Sequence, residues 1–292
     1  MRKAALVLGL LLALSSLGLA GDQNEVTCRH GENNFGNDMV TSMTQEQFTV
    51  PMSGSQLKVT APRNGGVKLI GGTGNAYEVT VCKYAGADSK AEADQLLTKI
   101  TSEHSGDAIT VRGPNDNDWT ASLIIKVPQG ANMSVSSHNG PISAKGISGT
   151  LALQAQNGPI AIKEVKGKVT AHAQNGPISF HGESGDYQLE TQNGPLAIDL
   201  ADKWQSGTLN AETTNGPISL NLPKGYQAGV EVRSDGHSPM ECSADACSQA
   251  RKTWDDNGKK IEFGSTSPVI HISTHNGPVS VGNEEPGEAA EM

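Results

Sequence analysis

The chain has 292 residues, a formal net charge of −9 at pH 7 and only 4% aromatic residues. An acidic surface repels phosphate backbones, so nucleic acid is excluded as a partner. With 34 glycines and few aromatic anchors, the composition favours a thin, layered β structure over a deep globular core.

The first twenty residues have the features of a signal peptide. Arg2 and Lys3 precede an apolar run over residues 4–14, and Gly18-Leu19-Ala20 is a small-x-small cleavage site. We therefore expect residues 1–20 to be removed and the mature chain to be exported to the periplasm, the cell surface or the extracellular medium. The apolar run is too short for a stable membrane span, and no second run follows.

Four cysteines in an exported chain predict two disulfides, for which three pairings exist. Cys242 and Cys247 flank a short polar loop, so we pair them, which leaves Cys28 with Cys82. Redox pairs are more often spaced Cys-x-x-Cys, so we interpret the Cys242–Cys247 bridge as a structural staple.

One amphipathic helix is predicted in a chain that otherwise shows strand patterns. Ser89 and Glu92 form a capping box that begins a helix over residues 89–104, and Gly106 is expected to end it. A lone helix of this kind typically covers an exposed end or edge of a sheet.

The tripeptide Asn-Gly-Pro, followed by Ile, Leu or Val, recurs along the second half of the chain. The first four copies are 18 residues apart, and the next steps are 22 and 61 residues. Apolar and polar residues alternate between these corners, so each copy holds two strands with one face inward. The corners begin at Asn139, Asn157, Asn175, Asn193, Asn215 and Asn276.

The residue types at this corner predict its backbone. Asn tolerates left-handed angles better than other non-glycine residues, and Pro pushes the residue before it toward extended angles. We therefore expect a left-handed Asn and an extended Gly, with Pro as the first residue of a strand. An extended Gly176 would tolerate a side chain.

An antiparallel meander and a parallel solenoid both fit a two-strand period. In a solenoid, equivalent residues stack about 4.8 Å apart, and outward Asn and Gln files can form hydrogen-bonded ladders. The repeated columns favour an all-β fold: a parallel β-solenoid (β-helix) of about 18-residue coils with one short capping α-helix. Parallel crossovers are right-handed by default, so we expect a right-handed coil.

Composition shifts divide the chain. Residues 21–45 are polar and predict a loosely ordered N-terminal arm, and a single solenoid domain is predicted over residues 46–282. Residues 233–260 are polar and are interpreted as an inserted loop or hairpin. Residues 283–292 form an acidic tail that we expect to be disordered.

The sequence contains no nucleophile elbow, phosphate-binding loop or zinc-protease motif, and we predict no cofactor. Two outward files that carry ionisable groups are interpreted as solvated surface, with a catalytic face as the alternative. His271 and His275 are a weaker candidate for a metal pair. Trp119, Trp204 and Trp254 could stack on sugar rings or pack over the coil ends. The two files are Lys145, Lys163, His181 and Asp199, and Gln154, His172 and Glu190.

Several segments resemble one bacterial family. They are the strand Phe48-Thr-Val, the pair Gln56-Leu-Lys-Val-Thr and Gly66-Val-Lys-Leu-Ile-Gly, the strand end Val127-Pro-Gln-Gly, and the Asn-Gly-x-Ile and Gly-x-Leu-x-Leu repeats. This pattern is similar to the "putative adhesin" family of unknown function over residues 48–281. The resemblance implies a parallel β-solenoid with surface attachment or envelope association, and it implies no catalysed reaction.

We therefore predict a non-catalytic, exported, adhesin-like β-solenoid that binds a glycan or a cell-envelope component, or serves as an envelope scaffold. The alternatives are a polysaccharide-active β-helix enzyme and a structural envelope protein that stacks end to end. A cleft with two carboxylates and a base would favour the enzyme, and uncapped terminal strands would favour stacking.

Overall fold

The fold is described from a computed structural model, which covers most of the chain after residue 38. The described residues are 28, 35, 39–115, 118–182, 184–200, 204, 206–235, 238–255 and 258–283. The predicted signal peptide, most of the predicted arm and residues 284–292 of the predicted tail lie outside them.

The described part of the chain is all-β apart from an α-helix, α1 (Lys90–Leu97), and a short 3-10 helix (Asp245–Gln249). In chain order the strands are β1 (Val40–Pro51), β2 (Leu57–Thr60), β3 (Val67–Gly71), β4 (Ala76–Ala87), β5 (Thr101–Ser105), β6 (Ala108–Arg112), β7 (Trp119–Val127), β8 (Ala131–Ser137), β9 (Ile142–Lys145), β10 (Ser148–Ala155), β11 (Ile160–Lys163), β12 (Lys166–Asn175), β13 (Ile178–Gly182), β14 (Gly185–Asn193), β15 (Leu196–Leu200), β16 (Gly207–Asn215), β17 (Ile218–Leu222), β18 (Gly229–Ser234), β19 (Met240–Cys242), β20 (Arg251–Asp255), β21 (Gly258–Phe263), β22 (Pro268–Asn276) and β23 (Val279–Asn283).

Two large sheets contain these strands. The first sheet has the order β1-β4-β7-β3-β9-β11-β13-β15-β17-β23-β19, and the second has the order β20-β21-β18-β22-β16-β14-β12-β10-β8-β2-β6-β5. Successive strands of the repeat alternate between the sheets, and each pairs in parallel with its equivalent in the next copy, as β10 does with β12 and β11 with β13. A meander would make β10 and β11 neighbours in one sheet, so this pairing favours the solenoid.

The register places equivalent apolar side chains on top of one another. Ile160 pairs with Ile178, and Phe180 lies between Ile162 and Ile198. All five side chains are buried, in agreement with the inward positions predicted from the alternation. The inward side chains of the two sheets form one continuous apolar core.

The order of layers in space differs from the order along the chain at both ends. β2 and β3 pair with β8 and β9, although β4 to β7 and α1 separate them in sequence. At the other end β16 and β17 pair directly with β22 and β23, and the intervening chain passes beyond this layer. We refer to these two intervening segments, residues 72–130 and 223–267, as the end excursions.

The predicted insert over residues 233–260 is more than a loop or hairpin. β20 and β21 do form a hairpin, but this hairpin adds to the second sheet by pairing with β18, and β19 extends the first sheet beyond β23. The segment therefore builds the terminal layer, because both sheets would otherwise end in unpaired parallel strands.

The predicted helix over residues 89–104 is wrong at its C-terminal end. Ser89 caps it as predicted, since its hydroxyl accepts a hydrogen bond from the Glu92 amide at 3.3 Å. The helix ends at Leu97, because β5 pairs with β6 in a hairpin whose turn contains Gly106. Ala93 and Leu97 are buried, and the helix packs against β1 and β4 at one end of the first sheet.

The predicted polar arm over residues 21–45 extends too far. β1 begins at Val40 and pairs with β4 along its whole length, so residues 40–45 belong to the sheet. Likewise Asn283, the first residue of the predicted tail, is the last residue of β23. The boundary was placed too late because the start of β1 is polar, and an edge strand needs few apolar residues.

Both disulfides of the sequence prediction are present. Cys28 is joined to Cys82 in β4, and Cys242 at the end of β19 is joined to Cys247 in the 3-10 helix. One bridge therefore ties Cys28 to the first sheet, and the other closes a short loop within the terminal layer.

The corner backbone differs from the expectation. Glu164 is the one described non-glycine residue with positive φ, at 56°, so the corner Asn residues are not left-handed. Glycine is required for a different reason, because a Cβ on Gly176 would lie 2.3 Å from the carbonyl oxygen of Gly158 in the neighbouring layer. The expectation that Gly176 tolerates a side chain is therefore wrong. The same close approach occurs at Gly140, Gly158, Gly194, Gly216 and Gly277.

Buried hydroxyls bind the same corner carbonyls. Thr191 donates to the Gly176 oxygen at 3.0 Å, and Thr213 donates to the Gly194 oxygen at 3.1 Å. Both threonines are buried in the core, and each buried hydroxyl has its hydrogen-bond partner in a corner carbonyl.

Replacing a stacked corner glycine should therefore be costly. Gly176→Ala should lower the free energy of unfolding by about 1–3 kcal/mol, because its Cβ overlaps main-chain atoms that cannot move independently. Gly74 is the matched control, since the nearest atoms to its Cβ lie 4.0 Å away. Urea unfolding of Gly74→Ala should show a change near zero, and equal effects of the two substitutions would contradict the stacking argument.

Glu164 offers a stabilising substitution. It is exposed and left-handed at a position where the preceding copy has Gly146, with φ of 66°. Glu164→Gly should raise the unfolding free energy by about 0.5–1 kcal/mol, because it removes left-handed strain of about 1–2 kcal/mol at a smaller entropic cost. Glu212→Gly, in the middle of β16, should instead destabilise; thermal melting of both variants would show opposite shifts.

Candidate binding surfaces

A ladder of asparagine side chains runs along the corners of the layers. Asn175 donates through Nδ2 to Asn157 Oδ1 at 2.9 Å, and Asn193 donates to Asn175 at the same distance. The remaining corner Asn residues continue this chain at 2.9–3.1 Å, each donating toward the N-terminal end. The corner Asn side chains therefore link each layer to the next. This linkage explains why Asn occurs at the corners although its backbone there is not left-handed.

Asn64 is a seventh member of the ladder that the sequence analysis missed. Its Oδ1 accepts a hydrogen bond from Asn139 Nδ2 at 2.9 Å. The sequence signal was present, because Asn64-Gly65 is followed by apolar Val67 and Leu69 at the same offsets as in the repeat. This copy was missed for two reasons. Gly66 stands where the other copies have Pro, and the next copy is 75 residues away instead of 18.

The outward face of the second sheet carries the ionisable file that includes His172. His172 Nδ1 lies 3.6 Å from Glu190 Oε2, and Glu190 pairs in register with Glu212 of the next strand. Glu190, Glu212 and His271 also line a shallow depression of about 150 Å³. The predicted Gln154 is the neighbour of His172 on the other side.

This group of two carboxylates and histidines is open to solvent. The side chains of His172 and Glu190 are 35% and 49% exposed, and the depression lies on the face of a sheet. Acid–base groups work best where a closed site excludes water and strengthens their interactions with substrate. The geometry therefore favours a solvated polar face over a catalytic cleft.

His271 and His275 do not converge on a shared ligand. His271 Nδ1 lies 3.6 Å from Glu231 Oε1, whereas His275 Nδ1 lies 3.4 Å from Asp235 Oδ2. Within the part of the chain that the structure describes, no group of three or more metal-ligating side chains comes together.

Charged side chains near the terminal layer are paired with one another. Arg251 and Lys260 both bind Glu262, and these hydrogen bonds lower the pKa of the Glu262 carboxyl to about 2. The pairing stabilises the folded state above the ordinary pKa of glutamate, and the stabilisation is lost as the pH falls toward 2. A carboxylate held ionised in this way cannot serve as a general acid near neutral pH.

The outward face of the first sheet, called the flat face below, carries a file of small side chains. One file of small side chains crosses six parallel strands from β9 to β23 and spans about 24 Å at roughly 4.8 Å per strand. Corner prolines Pro195, Pro217 and Pro278 border this file and line a shallow groove of about 410 Å³. The file consists of Ser143, Ala161, Ser179, Ala197, Ser219 and Ser280.

The predicted ionisable file of the first sheet lies beside this small-residue file. Lys145, Lys163, His181 and Asp199 occupy paired positions on successive strands, and Asn221 donates to Asp199 at 2.6 Å. These side chains are exposed or half-exposed, and they form a polar border to the flat face.

The three tryptophans occupy different environments. Trp204 is buried and lies 5.7 Å from the Tyr187 ring between centroids. Trp254 on the edge strand β20 is 72% exposed, so burial over a coil end does not apply to it. Trp119 is half-buried and lines a pocket with Arg63 and Asn64, a grouping that no sequence spacing indicated.

These features define a layered, all-β repeat protein with open surfaces along its faces and corners. The chain belongs to the Toastrack DUF4097 family, whose pattern it matches over residues 56–282. The match places the chain in a family of unknown function, and it does not test the Asn-Gly-x-Ile motifs from which the sequence analysis argued. No curated protein shows significant similarity to the chain.

Three solved bacterial structures are similar to this chain at low identity. A "putative adhesin" from Bacteroides fragilis covers 83% of this chain and 97% of its own, with 12% identity and a TM-score of 0.42. A "putative cell adhesion protein" from Clostridium sporogenes has 10% identity over 83% and 100% of the two chains and a TM-score of 0.30. A "putative lipid binding protein" from Parabacteroides distasonis has 11% identity over 83% and 97% and a TM-score of 0.26. At such scores these similarities carry no argument about function.

The described helices are also too short and too polar to span a bilayer.

The amide ladder predicts a graded response to mutation. Asn175→Ala removes two ladder hydrogen bonds and should lower the unfolding free energy by about 1 kcal/mol, since each exposed bond contributes about 0.5 kcal/mol. Asn276→Ala removes one and should cost about half as much. Chemical denaturation of both variants would test this order, and equal or reversed effects would contradict it.

Proposed function

We propose that the protein is a non-catalytic, exported binding scaffold of the adhesin type, built as a right-handed β-solenoid of about 18-residue coils. The flat face of the first sheet binds an extended ligand, either a glycan or another component of the cell envelope. The signal-peptide pattern and two disulfides support export, because disulfides persist outside the reducing cytosol.

The observation that carries this proposal is the flat face itself. Small side chains at successive outward positions leave the strands uncovered, and the proline border gives the groove apolar walls. An extended polymer lying across the strands would meet the same residue types at each layer, so binding strength would accumulate along its length. Repeat proteins commonly use such extended surfaces for binding.

The two alternatives receive less support. The carboxylates and histidines of the second sheet are solvent-exposed and have no enclosing cleft, which disfavours a polysaccharide-active enzyme. Helix α1 packs over β1 and β4, which disfavours end-to-end stacking at that end, although β20 remains an edge strand at the other.

A bulky charged side chain on the flat face should weaken binding. Ala197→Arg and Ser219→Arg should each reduce retention on a glycan array or on intact bacterial cells at least tenfold, because the side chain would fill the groove. Gln188→Arg is the matched control, since Gln188 is exposed on the second sheet. If the control lost binding equally, or if the face variants kept it, the flat face would not be the binding surface.

His172 and His181 should not be required for binding. His172→Ala and His181→Ala should bind as the wild type does, because both side chains are interpreted as solvated. Assays for depolymerisation of acidic polysaccharides should detect no cleavage. A cleavage activity in the wild type that disappears in either variant would contradict a binding scaffold and support the enzyme.

A further inference from the structure

A second, separate pocket lies at the corner edge of the molecule, where the asparagine ladder ends. Its walls are the corner that precedes β3, the end of β6 with residues 113–115 after it, and Trp119 at the start of β7. The cavity volume is about 380 Å³, within the usual range for small-molecule sites. It does not include any residue of the flat face.

The ladder presents its donor end to this pocket. Every ladder amide donates toward the N-terminal end, and Asn64 accepts from Asn139. Among the described residues, nothing accepts a hydrogen bond from Asn64 Nδ2. Head-to-tail hydrogen bonds polarise one another, so the terminal N–H groups are stronger donors than those of an isolated amide.

Arg63 adds an uncompensated positive charge beside Asn64. The structure describes four arginines, and Arg112, Arg233 and Arg251 each have a carboxylate partner. Arg63 has none within the described ranges, and it is exposed in the pocket wall. Its main chain is fixed, since its carbonyl oxygen accepts from the Asn139 amide at 2.9 Å.

Trp119 forms a fixed aromatic wall. Its Nε1 donates to the Pro114 carbonyl oxygen at 2.8 Å. Its ring lies so close to Gly113 that a Cβ there would be 2.5 Å from it. Asn115 supplies a further amide to the pocket lining, and Asp118 does not line it. Arg112 also lines the pocket, with its guanidinium paired to Glu103, so Arg63 supplies the unpaired one. An amphipathic ring fixed beside amides and an unpaired guanidinium suits a pyranose, which has apolar and hydroxyl-bearing surfaces.

We propose that this pocket binds a carboxylated sugar residue of an acidic saccharide. The carboxylate is bound by Arg63 and Asn64 Nδ2, and the sugar ring packs on Trp119. Arg–carboxylate hydrogen bonds are charge-assisted and so provide the discrimination between acidic and neutral sugars. An acidic peptide fits less well, because the pocket holds one unpaired cation and an aromatic wall rather than several cations.

The test is calorimetric titration of the purified protein with tetragalacturonate, with the same tetramer reduced to neutral galactose units, and with a tetraglutamate peptide. We expect the wild type to bind tetragalacturonate at least tenfold more tightly than either of the other two. Arg63→Gln should remove this preference, and Trp119→Phe should weaken binding of both tetramers. Arg233→Gln is the matched control, because Arg233 lies in the terminal layer at the opposite end of the sheet, and it should retain the preference.

Melting temperatures of the variants should match the wild type, which separates a binding loss from unfolding. Equal binding of acidic and neutral tetramers, an unaffected Arg63→Gln, or tight binding of the peptide would each overturn the proposal. Ala197→Arg should leave tetragalacturonate binding intact. If the flat-face variants kept their binding, the proposed function would be refuted, but the proposal for this pocket would be unaffected. If the saccharide titrations failed here, the proposal for the flat face would be unaffected.

Discussion

The structure depends on the close approach of main chains from neighbouring layers at the corners. Each corner carbonyl lies where a side chain on the next layer's glycine would have to be, as Gly158 does for Gly176. Once the backbones are that close, parallel pairing, the apolar files and the asparagine ladder all fall into register. The copies are therefore mutually dependent, as in other repeat proteins whose units bury little alone.

Much of this architecture is predictable from sequence because the repeat is regular. The alternation around Ile160 and Ile178 predicts their burial, and the spacing predicts which residues stack. The requirement for glycine at position 176 is not predictable from local preferences, because it arises from contact with another layer. The helix end at Leu97 was missed for a similar reason, since the pairing of β5 with β6 overrides a continuing apolar pattern.

The candidate surfaces were harder to predict than the fold. The alternation of residues predicted that the files of Lys145 and His172 point outward. It could not predict that they lie on open sheet faces rather than in a cleft, because that depends on the whole fold. Trp119 is distant in sequence from Arg63 and Asn64, and the three meet because the first end excursion returns β6 and β7 beside β2 and β3. Asn64 could have been found by its offset to Val67 and Leu69, whereas the pairing with Trp119 had no sequence signal.

The two end excursions have a consequence for how the chain reaches this structure. The central layers, from β8 to β17, join neighbours close in sequence, so they can assemble early with little loss of loop entropy. During synthesis, β2 and β3 emerge before their partners β8 and β9, which follow only after the whole first excursion. The edges of β2 and β3 that pair with β8 and β9 therefore stay unpaired until those strands are made, and until then they can pair with wrong partners.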